Sequence, residues 1–118
     1  MSKPVGPYTP VVRAGEWLVV SGQVGILDGK LVPGGLDGEL RQAMANLSAL
    51  LEGQGASLTD VVKTTVFLRH LGADYARMNE LYMELFGDHR PARSAIGVAE
   101  LPLGALVEVE AWAHVGAG

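Results

Sequence analysis

Two stretches of this chain place apolar residues at three- and four-residue steps. Leu36, Leu40, Ala43, Met44, Leu47, Leu50 and Leu51 trace one helical face, with Asp37 as the expected N-cap and Gly53 and Gly55 as the stop. A second helix is expected over residues 74–86, with Tyr75, Met78, Tyr82, Leu85 and Phe86 on its apolar face and Gly87 at its end. Elsewhere the period drops to two. Residues 11–22 read as two short strands around Ala14-Gly15-Glu16, and Trp17-Leu-Val-Val20 are strand formers. Residues 25–35 are rich in turn signals, of which Asp28-Gly29 is the clearest hairpin marker. Residues 61–68 are β-branched, residues 92–99 follow the loop Asp88-His-Arg-Pro91 as a strand, and residues 105–115 alternate most cleanly. The predicted order is β-β-α-β-α-β-β.

Two helices cover only one face of such a sheet. In the last strand Ala105, Val107, Val109, Ala111 and Ala113 are expected beneath them, leaving Leu106, Glu108, Glu110, Trp112 and His114 on the opposite face. In the preceding strand, turning Ile96 and Val98 toward the helices puts Arg93, Ala95 and Gly97 on the same face as Glu108. A face that mixes Trp and Leu with ionisable groups is suited to a second chain, so an oligomer with charged groups near its interface is expected.

Composition narrows the classes. A length of 118 residues predicts one domain over residues 1–118, and 48% apolar against 19% charged residues excludes a disordered chain. With 0 Cys there is no disulfide framework, thiolate nucleophile or Cys-ligated zinc. No apolar run is long enough for a bilayer, and Met1-Ser-Lys-Pro lacks the apolar core of a signal peptide, so a cytoplasmic protein without a membrane partner is expected. The balance of 9 basic to 13 acidic residues, with no Lys/Arg run, argues against a nucleic-acid partner.

Several residues have the chemistry of a site. Arg93 presents a planar fork matched to a carboxylate, with Ala95 and Gly97 leaving room beside it; an ion pair to Glu108 or Glu110 is the structural alternative. Glu108 suits a general base that positions water, and spacing does not choose between it and Glu110. Tyr8 lies on an early loop, Ser21 at a strand end, and Gly22 permits close backbone approach; each also fits simple packing or a turn. Asn79 stands at the margin of the second helix's buried face. His70, His89 and His114 lack metal-ligand spacing, and no GxGxxG or GxxxxGK[ST] occurs, so neither a metal nor a nucleotide cofactor is expected.

The stretches Val5-Gly-Pro-Tyr8, Val20-Ser-Gly-Gln23, Asp60-Val-Val-Lys-Thr-Thr-Val-Phe67, Arg90-Pro-Ala-Arg93-Ser94, Leu101-Pro102 and Val107-Glu-Val-Glu-Ala111 resemble, in order and spacing, the RidA (YjgF-type) family of reactive-intermediate deaminases. The resemblance implies a chorismate-mutase-like α+β fold: a mixed sheet with two helices on one face, assembled as a homotrimer with sites between subunits. It implies cofactor-independent hydrolysis of enamine or imine intermediates, 2-imino acids of the 2-aminoacrylate type, to 2-oxo acids and ammonia. By position it gives Arg93 the substrate carboxylate and Glu108 the attacking water, with Tyr8, Ser21, Gly22 and Asn79 in the same cleft. Ala95, also a pocket residue, departs from the Cys frequent there, Gly97 replaces a commonly acidic residue, and Gly25 stands where proline is frequent. The alternatives are a non-catalytic binder of 2-oxo acids and the ribonuclease, translation-inhibitor or chaperone-like roles ascribed to some relatives. The acidic charge argues against an RNA-directed role.

Overall fold

The computed structural model describes residues 6–116; Val5 of the first motif and the stretch Met1-Ser-Lys-Pro lie outside them. Strands β1 (Val11–Ala14) and β2 (Trp17–Gln23) form the expected hairpin, in register from Val11–Val20 to Ala14–Trp17. Strands β3 (Ile26–Leu27) and β4 (Lys30–Leu31) form the second. Their turn residues Asp28 and Gly29 have φ of 54° and 80°, the left-handed pair that the Asp-Gly signal predicts. Then follow helix α1 (Gly35–Glu52), β5 (Val61–Leu68), helix α2 (Leu71–Phe86), β6 (Ala92–Gly97) and β7 (Val107–His114).

The main sheet has the order β1-β2-β7-β5-β6. Only β5 and β6 run parallel; the other neighbours are antiparallel, so the sheet is mixed and the fold is α+β. The parallel pair follows from connectivity, because α2 carries the chain back across the sheet between the two strands. Both helices pack on one face. Leu40, Met44, Leu47 and Leu51 of α1 meet Leu18, Val20, Val107 and Val109 in a continuous core. Ala111 and Ala113 of β7 are wholly buried in that core, where their small side chains suit the volume of the facing leucines.

Four boundaries differ from the sequence expectation. The cap position of α1 is Gly34, at φ 105°, and Asp37 instead joins the helices through Arg77 of α2 at 2.5 Å. Helix α2 starts at Leu71, before Asp74, so its first turn reaches further toward β6. Strand β6 stops at Gly97, short of Ala99. Strand β7 starts at Val107; Ala105 is buried apart from the strand, beside Val24 and Ile26. The buried Glu39 of α1 accepts the Leu106 amide at 2.8 Å, which fixes where β7 begins.

One placement is overturned. Arg93 does not share a face with Glu108. It lies in register with Thr64, which is fully buried under α2, so Arg93, Ala95 and Gly97 face the helices. Ile96, expected inside, is 44% exposed beside Phe67, which pairs with Glu108 on the uncovered face. The cause is the position of β6 at the edge of the sheet. An edge strand is only partly roofed by its helix, so apolarity no longer marks its inward side. A long cation can occupy that side while its head group still reaches solvent.

Leu47 lies at the centre of the α1 seam with no exposed surface. Leu47→Ala is expected to destabilise the fold by about 3 kcal/mol, read as a lower urea midpoint at unchanged slope.

Candidate active site

Arg93 is held by one stripe of α2. Its Nη1 donates to Asn79 Oδ1 at 2.7 Å and approaches Met78 Sδ at 3.7 Å, while Nη2 donates to Tyr75 Oη at 3.2 Å. Its Cζ lies 5.0 Å from the ring centre of Tyr82 and 5.7 Å from that of Tyr75. Residues 75, 78, 79 and 82 are helical neighbours at steps of three and four, so one face of one helix supplies every contact. Tyr82 is itself fixed, since its hydroxyl lies 2.7 Å from Thr64 Oγ1, and Thr64 is the strand neighbour of Arg93. Burial pushes the Tyr82 phenol up, against smaller opposing effects of Thr64 and the nearby arginines, so it stays neutral beneath the guanidinium.

Among the described residues no carboxylate pairs with Arg93. The ion pair to Glu108 or Glu110 left open by the sequence is not formed, because those carboxylates are on the other face. The guanidinium instead borders a cavity of about 470 Å³ lined by Leu71, Gly72, Tyr75, Arg93 and Ala95. Gly97 packs close to one of the lining residues: a Cβ there would sit 3.1 Å from the Leu71 Cβ, so a larger side chain would crowd the first turn of α2.

The second group lies on the uncovered face. Glu108 is half-buried, and a Cβ on Gly22 would lie 2.7 Å from its carboxyl. Gly22 sits in an irregularity of the β2–β7 ladder between Val20 and Gln23, so the bulge and the missing side chain together make the carboxylate's berth. Ser21 is tied down: its hydroxyl donates to the Thr9 carbonyl at 2.6 Å and its amide to the Pro10 carbonyl at 2.8 Å. These bonds hold the segment carrying Tyr8 against β2. Burial, reinforced by the negative charge of Glu110, pushes the Glu108 carboxyl above the ordinary carboxylate range. His114 does not join these acids; its ring packs edge-on against Trp17 and its Nε2 lies 3.4 Å from Glu16.

The structure thus gathers Arg93, Asn79 and Ala95 in one place and sets Glu108 against Gly22 in another, while Ser21 is bonded to the segment that carries Tyr8. Sequence reasoning missed Tyr75, Met78 and Tyr82 as partners of Arg93, having placed all three on a purely apolar face. Their helical spacing with Asn79 was the available signal.

The family model described as Endoribonuclease L-PSP, the YjgF/RidA family, matches residues 1–115. The chain belongs to this family. It is 44% identical over 114 residues to a RutC family protein of Pyrococcus horikoshii, covering 95% of this chain and 90% of the relative. It is 43% identical over 114 residues to the 2-iminobutanoate/2-iminopropanoate deaminase of Mus musculus, covering 95% of this chain and 84% of that protein. Its fold matches the crystal structure of RidA from an Antarctic Psychrobacter at a TM-score of 0.91 and 36% identity, over 96% of this chain and 92% of the other.

A raised carboxyl pKa has a definite consequence for stability. The folded state holds the Glu108 proton more tightly than the unfolded chain, so the charged form costs stability at neutral pH, and the cost disappears as pH falls below the ordinary carboxylate range. Glu108→Gln is therefore expected to melt at a higher temperature than wild type at pH 7, with the gap closing on acidification; calorimetric scans across pH check this.

Proposed function

We propose that the protein hydrolyses reactive 2-imino acids to 2-oxo acids and ammonia, with Arg93 clamping the carboxylate and Glu108 directing the water. The observation that carries this reading is the Arg93 guanidinium: it is steadied by neutral groups, unpaired with any carboxylate among the described residues, and open to a cavity. Such a cation is poised for an incoming organic anion. The first turn of α2 borders the same cavity and adds the positive end of its dipole.

Catalysis needs only water and proton transfer. With the carboxylate on Arg93, the electrophilic imine carbon faces the attacking water. Glu108 takes a proton from that water as the new C–O bond forms, and the imine nitrogen receives a proton. The carbinolamine then collapses to a C=O bond as the C–N bond breaks and ammonia leaves. Burial makes Glu108 a stronger base than an exposed carboxylate, which brings it closer to the working pH.

Arg93 and Glu108 stand on opposite faces of one sheet, so a single chain does not aim both at one small molecule. A second copy resolves this, with the cavity of one chain meeting the uncovered face of the next. That face carries Val12, Trp17, Ile96 and Trp112, all more than a third exposed. We take the assembly to be a homotrimer of the chorismate-mutase-like type, with the cleft between subunits completed by Tyr8, Ser21, Gly22 and Asn79. The endoribonuclease of the family's description is not our reading for this chain, since its net charge of −4 opposes an RNA grip.

The test generates 2-aminoacrylate with a dehydratase and follows pyruvate formation. Wild type should accelerate it, Arg93→Ala should not, and Arg93→Lys should lose about tenfold or more because an ammonium lacks the fork. Glu108→Gln should lose about 10²-fold. The acidic limb of the wild-type pH profile should lie above that of an ordinary carboxylate. Pyruvate binding without acceleration would instead mark a non-catalytic binder, and full activity in Arg93→Ala would remove the clamp.

Gly22→Ala tests the berth of the carboxylate. The new methyl displaces a flexible side chain and no backbone, so the fold should survive while activity falls by about 10²-fold.

A further inference from the structure

We propose that the Tyr75 hydroxyl is a second donor to the substrate carboxylate, standing beside Arg93 in the lining of the cavity. The inference rests on the reading of Arg93 as the carboxylate clamp.

A guanidinium has five N–H donors. In this chain two on Nη1 are directed at Asn79 Oδ1 and Met78 Sδ, and one on Nη2 is directed at Tyr75 Oη. The Nε–H and the other Nη2–H have no partner among the described residues, and they are the donors left for an anion. Tyr75 Oη accepts from Nη2 at 3.2 Å, so its own proton is free to be donated elsewhere. The ring needs no hydroxyl for its part in holding the cation: the guanidinium carbon lies 5.7 Å from the Tyr75 ring centre, within cation–π range for any aromatic. Tyr75 is 42% exposed and lines the cavity together with Arg93. No other hydrogen-bond partner of its hydroxyl occurs among the described residues. A phenol that accepts from a cation keeps an O–H it can turn into the space beside it, and is suited to bridge that cation to a bound carboxylate. The anion would then have two N–H donors and one O–H donor.

The experiment titrates pyruvate, the stable product anion, into the assembled protein by calorimetry, in parallel with steady-state kinetics on 2-aminoacrylate. Tyr75→Phe keeps the ring and is expected to bind pyruvate about tenfold more weakly and to raise KM by a similar factor, with kcat within about twofold. A role confined to packing would leave both constants unchanged. In wild type carrying 13C at tyrosine Cζ, the resonance missing from Tyr75→Phe is expected to shift on saturation with pyruvate; a resonance that does not move overturns the proposal. If Tyr75→Phe binds pyruvate within twofold of wild type while Arg93→Ala does not bind it, the Tyr75 donor is overturned and the clamp stands. If Arg93→Ala binds pyruvate as wild type does, the clamp fails and the Tyr75 inference fails with it.

Discussion

The proposed site depends on a cation at the sheet edge gripped by a single helix. Tyr75, Met78, Asn79 and Tyr82 reach Arg93 from successive turns of α2, and none of them carries charge. Neutral partners orient a guanidinium without cancelling it. A carboxylate in the same place would hold it as firmly and leave it electrostatically satisfied. The arrangement requires β6 to lie beside β5 beneath α2, and that requires the parallel crossover. The topology of the β5–α2–β6 unit and the availability of the cation are therefore one constraint seen at two scales.

The other half of the proposed site is built differently. Glu108 gains its character from partial burial and from its neighbour Glu110, with a glycine and a ladder irregularity making its space. No helix takes part. This half sits on the broad face that the two helices leave open, where aromatic and aliphatic groups stand among acids. On the function proposed here, a site divided between the two sides of a sheet would tie activity to association, since a lone chain would hold both components and no cleft.

Much of this was legible in the sequence, and the failures share a cause. Helix α1 was readable because seven apolar residues keep one face over its whole length, and the β3–β4 hairpin because Asp28-Gly29 tolerates left-handed backbone. The two faces of β7 were readable because a central strand buries one side completely, as Val107, Val109, Ala111 and Ala113 do. The edge strand broke the rule. Ile96 is exposed and Arg93 faces the helix because tertiary position, which local pattern does not encode, decides what an edge residue meets. Tyr75 was read as core for a related reason: an amphipathic ring fits an apolar stripe equally well when its hydroxyl is bonded to a cation. Residue chemistry had already offered Asn79 and Glu108 as candidates, the family resemblance chose Glu108 over Glu110, and the fold then separated the groups that spacing had placed together.

The cavity wall and the groups that steady Arg93 come from successive turns of one face of α2, with Tyr75 common to both. Leu71 and Gly72 shape the space, while Met78, Asn79 and Tyr82 steady the charge a turn or two further along. Replacements of Leu71 or Gly72 would therefore change the shape of the cavity while leaving in place the side chains that contact the Arg93 guanidinium.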